Sequence, residues 1–90
     1  MTGVQTCALP ISLKYHKEAL DINRESGRTQ GVAINLGNIG NIYELKGDLD
    51  SALKYQKEAL DINREIGYTK GVAIQLGNIG NIYADRKSVV

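Results

Sequence analysis

Apolar residues recur at intervals of three and four along most of this chain, in two alternating patterns. In one, Leu53, Leu60 and Ile62, with the small Ala52 and Ala59 among them, form a stripe, while Lys54, Lys57, Glu58 and Asp61 take the other side. That spacing predicts an amphipathic helix. Asp48 or Asp50 can cap its start after the turn residue Gly47, and Gly67 stands where a left-handed residue would end it. An earlier copy runs from Ser12 to Ser26 and stops at Gly27. The other pattern puts Val32, Leu36, Ile39 and Tyr43 on one stripe. It predicts a helix from Thr29 to Lys46, with a later copy from Thr69 to about Ala84. With the second pattern named A and the first B, the order is B, A, B, A. No stretch alternates with the period of a strand.

The two patterns belong to one repeat. Shifting the chain by 40 residues aligns residues 13–43 with 53–83, and only five of those 31 positions differ: His16/Gln56, Ser26/Ile66, Arg28/Tyr68, Gln30/Lys70 and Asn35/Gln75. A fixed period of this size marks a solenoid, in which one unit cannot bury its apolar face alone and stacks on its neighbours. An array of at least three units is the usual minimum for stability, so about two units are expected to be marginal and to associate through their open faces.

The run NIGNIYELKGDLDSALKYQKEALDI, residues 38–62, resembles the tetratricopeptide repeat. The matching positions are the small Gly40, the aromatic Tyr43, the helix-ending Gly47 with Asp48, Ala52 opening the next helix, and Ala59 with Leu60 near its middle. The similarity covers residues 13–84, and the 40-residue period exceeds the 34 usual for such repeats. It is similar to the longer-helix variety found in polarity adaptors, kinesin light chains and many bacterial regulators. The family's proline after the second helix is missing here. The resemblance implies an all-α fold: a right-handed superhelical solenoid of antiparallel helix pairs, of which this chain holds about two repeats.

One octet, LGNIGNIY, occurs twice, at residues 36–43 and 76–83, although glycine and asparagine are poor helix formers. The resemblance implies that Gly40 and Gly80 are the small residues where paired helices approach most closely, packed with Ala52 and Ala59. Tyr43 and Tyr83 share the stripe of Leu36 and Ile39 and are expected in the core. Asn38 and Asn41, with their copies Asn78 and Asn81, lie off that stripe, and the resemblance puts their face on the concave wall, where the family binds peptides. An amide can bond a peptide backbone whatever its side chains, and Gly37 with Gly77 would leave room for a ligand chain. The same four asparagines could instead form a ladder of amides that stabilises the stack without any ligand.

Composition narrows the chemistry. With 11 Lys+Arg against 10 Asp+Glu the charge is nearly balanced, which gives no reason to expect nucleic acid or an anionic membrane as partner. No apolar run approaches the roughly 20 residues of a membrane-spanning helix. The pairs Lys14 with Glu18 and Lys17 with Asp21 belong to a solvated face. A single Cys7 excludes an internal disulfide framework and fits a reducing, cytoplasmic compartment. His16 has Gln56 as its counterpart, so no metal-ligand pair repeats. No catalytic constellation, phosphate loop or cofactor motif is present, and neither enzymatic activity nor a cofactor is expected.

The ends stand outside the repeat. Back-translated, the leader in residues 1–11 and the tail in residues 85–90 resemble the two ends of a common sequencing-library adapter. Ser12 also stands where Ala52 would be repeated, a single-base scar at the junction. Residues 12–84 are therefore expected to be the native part, a fragment of a longer array with nine basic and nine acidic residues. Three functions remain open: a module that binds a protein or peptide segment in a concave groove, a spacer or self-association segment without a ligand, and the sensory region of a larger signalling enzyme.

Overall fold

The computed structural model describes residues 2–89, with side chains placed for residues 10–86. Four helices follow one another: α1, Thr2–Glu25; α2, Thr29–Lys46; α3, Leu49–Glu65; and α4, Thr69–Val89. Each packs on its sequence neighbours, and α2 also touches α4. The connections are so short that neighbours must run antiparallel. This is an all-α helical-repeat fragment in the order B, A, B, A.

The same device ends the first three helices. Gly27, Gly47 and Gly67 take φ of +72°, +86° and +72°, a region where a side chain would be strained. The residue after each glycine donates its N–H back to a carbonyl of the last helical turn: Arg28 to Asn23, Asp48 to Tyr43 and Tyr68 to Asn63, each at 2.9 Å. These closures satisfy carbonyls that would otherwise be orphaned.

Of the two capping candidates, Asp48 is the cap. It accepts from the Ser51 N–H at 3.2 Å and the Ser51 hydroxyl at 2.7 Å. The hydroxyl bond first, and then the backbone bond, hold its carboxyl below the ordinary value of 3.8. A carboxyl lowered on folding contributes stability that is present above the unfolded value and lost as pH falls through the folded one. Asp48→Ala is expected to lower the melting temperature at neutral pH, and Asp48→Asn, which still offers a carbonyl oxygen, to recover most of the loss. Melts followed by circular dichroism at pH 7 and pH 3 check both, since the gap between wild type and Asp48→Ala should shrink in acid.

Two apolar clusters share the interior. Leu20 of α1, Val32, Leu36 and Ile39 of α2 and Ala59 of α3 form the first; Ala52 and Leu53 of α3 with Ile82 of α4 form the second. Tyr43 packs against both. Its ring stacks on that of Tyr55, with centroids 5.5 Å apart and planes within 4°.

The terminal helices run further than their stripes suggest. α1 begins at Thr2 rather than at Ser12, with Pro10 inside it, and α4 continues past Ala84 to Val89. A stripe records which face is packed against a neighbour, so a helix can run on past the end of its stripe. The backbone of Cys7 is in α1, but its side chain lies outside the described residues.

Candidate functional site

Among the described residues the buried polar side chains are amides. Gln56, Asn63 and Gln75 are almost fully enclosed, as is Asn35. Gln56 on α3 is the hub. Its Nε2 donates to the Gly37 carbonyl at 3.0 Å and to Asn41 Oδ1 at 2.9 Å on α2. Its Oε1 accepts from Gln75 Nε2 at 2.9 Å and, more weakly, from Asn78 Nδ2 at 3.4 Å on α4. Gln75 Oε1 in turn accepts from Asn63 Nδ2 at 3.0 Å. Three helices are thereby tied through one side chain. Among the described residues no buried side-chain nitrogen or oxygen lacks a partner, as buried polar groups require.

The earlier repeat cannot build the same hub. Asn35, one methylene shorter than Gln75, accepts from Asn23 Nδ2 at 2.6 Å, and His16 replaces Gln56. Two of the five positions that differ between the repeats, 16/56 and 35/75, belong to the network.

The glycines make room for these amides. A Cβ on Gly40 would lie 2.8 Å from Gln56 Nε2 and 3.1 Å from its Cδ and Cγ. Gly40 is thus buried at a helix contact, but its neighbour is a glutamine side chain rather than an approaching backbone. Gly37 is buried too, and a Cβ there would meet Gln75 Nε2 at 2.8 Å. Gly37 thus makes room for that amide, and it also lines the cavity between α2 and α4. Gly31 and Gly71 do the same for Asn23 and Asn63, at 2.8 and 2.6 Å.

In the later octet the placement differs. A Cβ added to Gly77 or Gly80 would meet nothing within 4 Å. Tyr83, expected in the core, is 46% exposed. Among the described residues α4 packs on α3 along one side, and Gly80 and Tyr83 stay exposed, with the Lys57 ammonium 5.9 Å from the centre of the Tyr83 ring. Ala52 and Ala59 are fully buried.

Between α2 and α4 lies a cavity of about 200 Å³. Asn38, Asn41 and Asn78 line it with Ile34, Ile74 and Tyr68, while Asn81 and Gly77 fall outside. No Asp, Glu, Lys, Arg or His contributes to its wall. The network fixes two of the amides: Asn41 accepts with its oxygen and so keeps its NH2 group free, and Asn78 donates with its nitrogen and so keeps its oxygen free. Among the described residues Asn38 and Asn81 form no side-chain hydrogen bond. Away from the cavity, Glu44 is raised above its usual 4.5, first by burial and then by the hydrogen bond and charge of Asp85.

Sequence reasoning missed Gln56, Asn63, Gln75, Gly31 and Gly71. A signal existed. Gln56 and Asn63 follow Ala52 and Ala59 by four residues, which puts two amides on the apolar stripe, where a polar group must find a buried partner.

Among the described residues no helix is long and apolar enough to cross a membrane, and no three His, Cys, Asp or Glu side chains gather into a potential metal site. No curated protein matches the chain. The family model for the tetratricopeptide repeat matches residues 9–65, more than half of its length. That family supplies protein-interaction scaffolds in general and is typically non-catalytic. Helix pairs of fixed period that bury their stripes only against their neighbours are what it builds, and this chain belongs to the tetratricopeptide repeat family.

Proposed function

We propose that residues 12–84 form a binding module that takes an extended peptide segment of a partner protein in the cavity between α2 and α4. The observation that carries this reading is the ordered pair of free groups left by the amide network. Asn41 presents donors and Asn78 an acceptor across one uncharged wall. A peptide backbone offers the complementary set, one C=O and one N–H per residue. Asn38, with its whole amide unengaged, adds a second donor and acceptor, and Ile34 with Ile74 offers apolar ground for a ligand side chain. An uncharged wall favours recognition of backbone over charged side chains.

A second reading has its own support. Asn41 and Asn78 are both bonded to Gln56, as the ladder that stabilises a stack would require. The two readings part at Asn38, which is outside the network. A displayed library of unstructured peptides panned against the chain supplies a probe, and fluorescence polarisation of the enriched peptide measures its affinity. Asn38→Ala is expected to weaken binding about tenfold, equivalent to about 1.4 kcal/mol and within reach of one or two lost hydrogen bonds, with the melting temperature unchanged. Failure of any peptide to enrich, or full affinity in Asn38→Ala, would refute the groove reading.

A further inference from the structure

The α2·α3 contact is a complete interface, and each half of it recurs unpaired elsewhere in the chain. In the complete version Tyr55 stacks on Tyr43, Gln56 seats against Gly40, and Ala59 packs with Leu36 and Ile39. The repeat copies the α2 half onto α4, as Leu76, Ile79, Gly80 and Tyr83. It copies the α3 half onto α1, as Tyr15, His16, Ala19 and Ile22. Among the described residues of one molecule these halves do not meet. Leu36 is fully buried, but its copy Leu76 is 48% exposed; Tyr15 and Ile22 are 61% and 62% exposed.

We propose that α4 of one molecule takes α1 of a second copy, in the arrangement of α2 with α3. Tyr15 then stacks on Tyr83, and Ala19 enters between Leu76 and Ile79. His16 takes the seat over Gly80 that Gln56 occupies over Gly40. Of the four α1 positions named, only that one changes identity between template and copy. The imidazole keeps an N–H donor for the Gly77 carbonyl, as Gln56 Nε2 serves the Gly37 carbonyl. The second copy is the favoured occupant because its α1 repeats three of the four side chains with which α3 closes this contact on α2.

Such a contact is head-to-tail. Each added copy covers one open face and brings another, so growth is open-ended rather than closing at a dimer. Sedimentation velocity on the 90-residue chain is expected to show a weight-average mass that rises with concentration past twice the monomer without a plateau. Ala19→Arg blocks the α1 half and Gly80→Arg the α4 half. Each variant alone is expected to stay monomeric, and an equimolar mixture to form a 1:1 dimer and stop, because only one compatible pair of faces remains.

Wild type that stays monomeric overturns the proposal. So does a variant that associates alone, or a mixture of folded variants that forms no dimer. Circular dichroism establishes folding first. Should either variant be unfolded, amide NMR shifts of the wild type on concentration decide: changes centred on Tyr15, Ala19, Leu76 and Tyr83 support the contact, and changes elsewhere refute it.

Discussion

Replacing Gln56 by leucine is expected to destabilise the chain by about 2–3 kcal/mol, even though leucine has nearly the same size and is far more apolar. The loss comes from the partners left behind. Gln75 Nε2, almost fully enclosed, loses the oxygen it donates to, and an orphaned buried donor costs about 1–3 kcal/mol. The Asn41 oxygen and the Asn78 amide are nearer the surface and can turn to water, and the Gly37 carbonyl keeps its helical partner, so these losses are smaller. For a chain of this length the change corresponds to a fall in melting temperature of about 10 °C or more. Urea titration gives the free energy directly, with the slope checking that compactness is unchanged.

The network makes a sharper demand on the double variant. Gln56→Leu with Gln75→Leu removes both ends of the 2.9 Å bond, leaving Asn63 Nδ2 as the orphan in place of Gln75 Nε2. The pair is expected to cost less than the sum of the single changes, by about 1 kcal/mol, since residues in one hydrogen-bond network are not additive. A Gln56→Leu variant as stable as wild type would mean that the buried amide contributes nothing beyond its volume.

Much of this architecture was legible in residue order. α2 occupies Thr29–Lys46, the span its stripe predicts, and the glycines read as helix ends at 27, 47 and 67 carry the positive φ that such ends require. These features are local: a spacing of three and four, a cap, a residue without Cβ. The hub was not legible, because its logic is non-local. Gln56 lies 19 residues from both Gly37 and Gln75, and an amphipathic reading assigns a polar residue to solvent unless a partner is known. Nor could the octet say what its glycines face. A glycine announces that a side chain is unwelcome or unnecessary, and only the neighbour tells which.

That distinction gives opposite signs to one substitution made twice. Gly80→Ala is expected to stabilise the monomer by about 0.5–1 kcal/mol, because alanine loses less backbone entropy in a helix and a Cβ there meets nothing within 4 Å. Gly40→Ala gains the same propensity, but its Cβ would press on Gln56 at Nε2, Cδ and Cγ together, all within 3.1 Å. The whole end of that side chain must move, and it is fully buried. Overpacking of this kind costs about 1–3 kcal/mol, and displacement also strains the bonds to Gly37, Asn41 and Gln75. The net expectation for Gly40→Ala is a loss of about 1–2 kcal/mol once the propensity gain is subtracted. Thermal melts at low concentration, where copies are apart, compare the two. Stabilisation by both substitutions would show that Gln56 yields easily and that no hub holds it. Opposite signs from identical octets would show that tertiary neighbours, and not the local sequence LGNIGNIY, keep glycine at position 40.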